Sequence, residues 1–240
     1  MAPILEIRHV SKHFGGLAAN SDVSFSVEPG TIVGLIGPNG AGKTTLFNCI
    51  AGYYPPSRGE IFFQGHRMNG LTPDRVCKLG MVRTWQKVKP LARLTVLDNV
   101  MVGALARTGS LKVAREAAME QLRLVRMEGK ASFLAGGLPI GERKKLEVAR
   151  VLATRPSLLL LDEVMGGLNP AESEEIIQLI LDLRKRGLTQ MVIEHNMKAI
   201  MRISERIVVL NSGEKLAEGT PGEIASNPEV VTAYLGEAVA

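Results

Sequence analysis

The sequence predicts an α/β fold: a mainly parallel sheet with helices between its strands, an antiparallel β portion near the N-terminus, and an α-helical lobe let into the middle. Three observations carry this. The run Gly37-Pro-Asn-Gly-Ala-Gly-Lys-Thr-Thr45 lies between a short β-rich segment and a helix start. Short apolar runs alternate with helical stretches over the second half of the 240 residues, the pattern of a parallel sheet. Residues 94–128 carry little turn signal and are dominated by Leu, Ala, Met, Arg and Glu.

Element by element, residues 4–10 and 22–28 alternate as antiparallel strands joined by the Gly15-Gly16 turn. Thr31–Ile36 is short and apolar, as a buried parallel strand is. Residues 60–64 and 81–85 are strand candidates, separated by a turn or short helix at 72–79 that Thr72-Pro73-Asp74 opens. Within 94–128 only Gly103 and Thr108-Gly109-Ser110 read as turn signals, so the stretch is helical and forms a separable lobe. Another helix spans 142–154, and Leu158–Leu161 is a buried strand ending in Asp162-Glu163. A helix at 171–186, a strand at 189–193, a helix at 196–203 and a strand pair at 206–217 complete the pattern. No repeat or low-complexity segment appears.

Composition narrows the function. Hydrophobic residues make up 45% of the chain, enough for a core, and the net charge of +5 suits phosphate ligands or an anionic surface without requiring nucleic acid. Aromatics at 4% argue against a base-stacking RNA or single-strand binder. Cys49 and Cys77 lack metal-ligand spacing and point to a reducing compartment. The first residues are no signal peptide, since Glu6 and Arg8 interrupt them, and no apolar run reaches the length of a membrane span.

Gly37, Gly42, Lys43 and Thr44 fit G-x-x-x-x-G-K-[ST], the P-loop pattern. In such a loop the backbone N–H groups turn inward on phosphates and the following helix adds positive potential. Residues Gly37, Pro38, Asn39, Gly40, Ala41, Gly42, Lys43, Thr44 and Thr45 are the expected nucleotide cradle. Lys43 pairs the β- and γ-phosphates, and Thr44 ligates Mg²⁺. The strand Leu158–Leu161 delivers Asp162 to a carboxyl end of the sheet, a Walker B arrangement in which Asp162 holds Mg²⁺ and Glu163 takes a proton from attacking water.

With Leu138-Pro-Ile-Gly-Glu-Arg-Lys-Lys-Leu-Glu-Val-Ala-Arg150 just ahead of that strand, the chain resembles the ATPase subunit of ABC transporters over essentially its whole length. More narrowly it resembles the ATPases of branched-chain (hydrophobic) amino-acid importers. Their signature segment is like Leu-Pro-Tyr-Gly-Gln, their loop after Walker B reads as Gly167-Leu168-Asn169-Pro170 does here, and their ending is like Ala233-Tyr234-Leu235-Gly236-Glu237. The fold the resemblance implies is a P-loop NTPase core of ABC ATPase type with an antiparallel β subdomain and an α-helical subdomain. It makes 1–240 a single domain, with 1–86 and 151–240 as nucleotide-binding core and 87–150 as helical and signature lobe.

The resemblance also assigns roles. Gln86 is the Q-loop glutamine that reaches Mg²⁺ and the attacking water, His195 the switch histidine at the γ-phosphate, and Phe14 the aromatic stacked on adenine. Leu138, Pro139, Ile140, Gly141 and Glu142 are the signature that faces a partner subunit's ATP, and Gly167, Leu168 and Asn169 the loop after Walker B. Five residues depart from the general family pattern: Pro139 stands for a serine, Ile140 for a glycine, Glu142 for a glutamine, Val164 for a proline and Asn169 for an aspartate; Pro139 and Asn169 fit the narrower group. The implied activity is ATP hydrolysis powering amino-acid uptake through separate permease subunits. A second ATPase subunit (a homodimer in isolation, a heterodimer in the transporter) and indirectly a substrate-binding protein are the implied partners, with no nucleic acid. The implied place is the cytoplasmic face of the membrane. Transport of urea or a lipid, or a soluble regulatory role, remain the alternatives.

Overall fold

The structure, a computed structural model, describes residues 2–85 and 89–235. Strands β1 (Leu5–Phe14), β2 (Leu17–Val27) and β3 (Ile32–Ile36) precede helix α1 (Lys43–Ile50). Then come β4 (Arg58–Phe63), β5 (His66–Arg67), α2 (Pro73–Leu79) and β6 (Met81–Arg83). The middle is helical: α3 (Val96–Leu105), α4 (Leu111–Leu124) and α5 (Ile140–Leu152). The rest runs β7 (Leu158–Asp162), α6 (Pro170–Lys185), β8 (Thr189–Ile193), α7 (Met197–Ile203), β9 (Arg206–Asn211), β10 (Glu214–Gly219), α8 (Pro221–Ser226) and α9 (Pro228–Leu235).

The strands form two sheets. One is antiparallel, in the order β2-β1-β4-β5; the other is ordered β10-β9-β3-β8-β7-β6, parallel from β9 to β6, with β10 antiparallel at one edge. The predicted α/β class with a mainly parallel sheet and a separate antiparallel β portion is what the chain adopts.

Every residue of β3, β7 and β8 is buried. Their side chains alternate between two hydrophobic clusters, as the period of a strand requires. Ile32, Leu159, Leu161 and Val192 face the helices α3 to α7. Val33, Leu35, Leu158, Leu160, Met191 and Ile193 face α1 and the antiparallel sheet. The helical lobe therefore shares one core with a face of the parallel sheet. Its straps are polar as well as apolar: the Arg107 guanidinium donates to the carbonyls of Cys77 (2.9 Å), Lys78 (2.8 Å) and Thr154.

Three differences from the sequence reading have physical causes. β1 and β2 extend to the Gly15-Gly16 turn, well beyond the alternation read at 4–10 and 22–28. Register shifts interrupt the pairing after Ile7 and after Val10, and His9 (φ 52) and Asp22 (φ 51) take left-handed backbone there, so the alternation breaks while the ladder continues. Gly103 is no turn. It lies inside α3, where a Cβ would stand 2.0 Å from the Arg150 carbonyl oxygen of α5, so it permits close helix packing. The helices α8 and α9 were not expected, although the capping box of Thr220 and Glu223 and the prolines at 221 and 228 mark their starts. Among the described residues no helix is long and apolar enough to cross a membrane.

Candidate active site

The loop from Gly37 to Gly42 leaves the carboxyl end of β3 and turns into α1. Gly37 and Gly42 have φ of 151 and 93, and a Cβ on them would stand 2.1 Å from the Leu210 carbonyl oxygen and 2.3 Å from that of Ala19, so only glycine fits. Inside the loop the Lys43 ammonium donates to the carbonyls of Gly37 (2.5 Å) and Pro38 (2.7 Å). α1 has no acidic residue in its first turn, so nothing there offsets the positive potential of its N-terminus.

Outside this loop lies a cavity of about 330 Å³ lined by Phe14, Leu17, Ala18, Ala19, Asn39–Thr45, Glu163 and His195. Residues distant in sequence thus converge on the loop. Phe14 stands at the end of β1, 42% exposed, in edge contact with Tyr54 at 5.3 Å and with the Lys12 ammonium 5.0 Å from its ring centre. Glu163 follows β7 and His195 follows β8. Their side chains meet, His195 Nε2 lying 2.8 Å from Glu163 Oε1.

Thr44 also lines a second cavity of about 500 Å³, shared with Asn48, Arg83, Trp85, Lys89, Glu147, Arg150 and Asp162. Asp162 is 1% exposed, and Arg83 donates to its Oδ2 at 2.5 Å. The other oxygen, Oδ1, is buried without a hydrogen-bond partner among the described residues. Burial pushes the Asp162 carboxyl up, and the Arg83 guanidinium opposes that shift. A buried carboxylate oxygen left over at a cavity that Thr44 also lines fits a divalent cation. Among the described residues no group of three or more His, Cys, Asp or Glu gathers as a cation cage. Mg²⁺ does not need one, because one or two carboxylates, water and substrate phosphates suffice.

The signature residues lie elsewhere. Leu138 is buried and Pro139 caps α5, with Ile140 47% exposed at its first position and Gly141 buried. None of residues 138–142 lines the Phe14–His195 cavity. Glu142 is paired with Lys130. Gly167 and Leu168 continue the turn after Glu163, Val164 is buried in it, and Asn169 caps α6 in a reciprocal capping box with Glu172. Gln86 falls outside the described residues, as do Gly236 and Glu237 of the ending.

Comparison with known proteins shows the same family in sequence and in fold. The model of the family described as ABC transporter matches residues 20–166, and one described as branched-chain amino acid ATP-binding cassette transporter matches residues 214–240. The high-affinity branched-chain amino acid transport ATP-binding protein LivG of Escherichia coli (strain K12) is 40% identical over 98% of this chain and 99% of its own length. Among solved structures, the ADP conformation of MJ1267, an ATP-binding cassette of an ABC transporter, superposes with a TM-score of 0.89 at 30% identity, covering 98% of this chain and 100% of that one. A dimeric post-hydrolysis cassette, MJ0796 bound to ADP and Pi, gives 0.82 at 27% identity, covering 90% and 98%.

The chain belongs to the ABC transporter family.

It is an ATP-binding cassette of the kind that hydrolyses ATP to power transport; cassettes of this family bind ATP, dimerise and work with a membrane permease. Against that background, four buried charged residues of this cassette were missed in the sequence. Arg83 holds Asp162, donates to Asn48 Oδ1 at 2.5 Å, and lies 5.1 Å from the Trp85 ring centre. Glu147 of α5 accepts the Trp85 amide at 3.0 Å. Lys144 of α5 donates to the Glu163 carbonyl at 2.7 Å, and Glu194 accepts the Met165 amide at 2.7 Å. The available signal was charge in buried places: Arg83 inside a strand, Glu194 directly after one, and Lys144 and Glu147 among the apolar positions of α5.

Proposed function

We propose that this cassette powers uptake of branched-chain or related amino acids, working at the cytoplasmic face of the membrane through separate permease subunits. The observation that carries the chemistry is the single cavity in which Phe14, the loop Asn39–Thr45, Glu163 and His195 meet. The substrate class rests on the kinship with LivG over nearly the whole of both chains and on the match at 214–240.

In this reading adenine stacks on Phe14, the backbone N–H groups of residues 39–45 cradle the phosphates, and Lys43 pairs the β- and γ-phosphates. Thr44, Asp162 and Gln86 would hold Mg²⁺, which would supply charge neutralisation for the phosphates. Glu163 accepts a proton from the attacking water, and His195, in contact with Glu163, orients that carboxylate and contacts the γ-phosphate.

Leu138–Glu142 stand outside the cavity, which fits a dimer in which each signature covers the partner's nucleotide, with Gly167–Asn169 beside it. In the transporter that partner is a second, different ATPase subunit. The lobe 87–150 faces the permease, set off from the core segments 1–86 and 151–240. Leu91, Leu94, Val102 and Leu105 are each 38–47% exposed there and offer apolar contact. A substrate-binding protein delivers the amino acid on the far side.

The test is reconstitution in vesicles with the permease, partner ATPase and binding protein of its transporter. ATP-dependent uptake of leucine, isoleucine or valine is expected, and it should vanish with Lys43→Ala. Uptake of urea or a lipid in place of amino acids would overturn the substrate class.

A further inference from the structure

The turn after β7 carries Glu163 in left-handed backbone, φ 49, a conformation that costs a residue with a Cβ about 1–3 kcal/mol and persists only where surroundings enforce it. The enforcing contacts are specific. The Glu163 amide donates to the Ile193 carbonyl at 2.9 Å, and the Gly166 amide returns to the Glu163 carbonyl at 3.2 Å. That same carbonyl accepts the Lys144 ammonium at 2.7 Å, and the next amide but one, that of Met165, donates to the Glu194 carboxylate at 2.7 Å.

Lys144 and Glu194 are each 4% exposed. Burial pushes Lys144 down and Glu194 up, and each charge opposes the other's shift, with Glu147 and Glu163 also facing Lys144. Two buried charges are a poor way to gain stability, because desolvation offsets their attraction. Their geometry is a good way to fix a turn, one holding a carbonyl and the other an amide of the same short segment. Neither lines the Phe14–His195 cavity.

We infer that Lys144 and Glu194 are positioning residues for Glu163, fixing the turn that aims its carboxylate at His195 and the cavity. Lys144 also lies on α5, three residues after Gly141 and so on the same helix face. The helix that meets the partner's nucleotide thereby grips the peptide of this subunit's own general base. Seating of α5 against the partner and aiming of Glu163 become one movement. The inference rests on Glu163 being that base.

The experiment uses the assembled transporter and compares Lys144→Met, Lys144→Arg, Glu194→Met and Glu194→Gln for kcat, KM for ATP and nucleotide affinity. A misaimed catalytic group costs up to about 100-fold in rate. Lys144→Met is therefore expected to lower kcat by about 10- to 100-fold with KM and ATP affinity unchanged, and Lys144→Arg to recover most of the loss. Added to Glu163→Gln, Lys144→Met should slow the residual hydrolysis no further, because it acts through Glu163. Wild-type kcat in Lys144→Met, a parallel loss of ATP affinity, or losses that multiply with those of Glu163→Gln would each overturn the positioning role. If Lys144→Met fails to fold by circular dichroism, Glu194→Met decides: it removes the oxygen that holds the Met165 amide, so kcat should fall while Glu194→Gln, which keeps an oxygen there, recovers most of the loss, and an unchanged kcat in Glu194→Met would overturn the proposal. Wild-type turnover in Glu163→Gln would instead remove the base assignment itself, and a slow Glu163→Gln beside a normal Lys144→Met would leave that assignment standing.

Discussion

The two halves of the active site are built in opposite ways. The loop Gly37–Thr45 is one contiguous stretch that combines backbone amides with the Lys43 and Thr44 side chains, shaped by Gly37 and Gly42, which admit no Cβ. The layer around Asp162 and Glu163 is assembled from side chains of α1, β6, α5, β7 and the segment after β8. Buried charges hold it together: Arg83 on Asp162, Glu147 on the Trp85 amide, Lys144 on the Glu163 carbonyl and Glu194 on the Met165 amide. The first half works from a local conformation that few residues satisfy. The second works because distant elements pack together, so damage there should spread from chemistry into stability.

Lys43→Ala is the sharpest test of the first half and the largest expected effect. Its ammonium braces the carbonyls of Gly37 and Pro38, but Lys43 itself lines an open cavity, so water can take the place of the lost side chain. ATP affinity and hydrolysis should be lost while the fold survives. Calorimetric titration with ATP and the thermal midpoint by circular dichroism check the two parts. Near-wild-type turnover, or a collapse of the midpoint, would break the contrast.

Arg83→Met tests the second half. It strands Asp162, 1% exposed, without its cation, and removing one partner of a buried pair costs about 3–5 kcal/mol. Urea unfolding should show that loss, and nucleotide binding should need more Mg²⁺, because Arg83 no longer fixes the Asp162 carboxylate through its Oδ2. Adding Asp162→Asn should recover part of the stability but none of the Mg²⁺ response. A cost below 1 kcal/mol, on the order of a surface pair, would place Arg83 outside the machinery.

The same division governs what could be read from the sequence. The P-loop was legible because its constraints sit at fixed spacing in one segment, between a strand and a helix. Asp162 and Glu163 were legible as the end of an apolar strand. Arg83, Lys144, Glu147 and Glu194 had no such local signature; each becomes meaningful only when β6, β7, β8 and α5 lie side by side. Burial by itself was the clue, and it is a property of packing. The bulges at His9 and Asp22 hid the true length of β1 and β2 for a similar reason, since ladder hydrogen bonds continue where side-chain alternation fails. The helices at the C-terminal end differ: the capping pair Thr220 and Glu223 is local, so the start of α8 is written in the sequence itself.

A smaller effect sharpens the role of buried charge in α5. Burial pushes the Glu147 carboxyl above its ordinary 4.5, against the pull of the Trp85 amide, Arg150, Lys144 and Arg83. Between 4.5 and the raised value the folded chain keeps a proton that the unfolded chain has lost. The unfolded state then binds fewer protons, so this group's contribution to stability falls as pH rises through that window and returns on acidification. Glu147→Gln keeps an oxygen for the Trp85 amide and removes the titration. Its stability relative to wild type should improve as pH rises from below the window to neutrality, by on the order of 1 kcal/mol for each unit of upward shift it removes. Urea unfolding at acid and neutral pH measures this, and a difference independent of pH would mean Glu147 is not held above its ordinary range.

The smallest effect concerns the signature, where the two kinds of construction meet. Glu142 lies in the first turn of α5, where a carboxylate favours the helix dipole by about 0.3–1 kcal/mol. Lys130 neutralises it from the preceding turn. The two side chains are 25% and 41% exposed, so the pair contributes at most about 1 kcal/mol after screening. With the pair intact, the helix end meets the partner's γ-phosphate with little net side-chain charge. Glu142→Gln uncovers Lys130 and adds positive potential there; Lys130→Met uncovers Glu142 and subtracts it. In a Glu163→Gln background, sedimentation with ATP should therefore show tighter association for the first and weaker for the second, both differences shrinking as salt rises. Shifts of the same sign would mean that the pair serves only its own helix and that the phosphate feels the backbone of α5 alone.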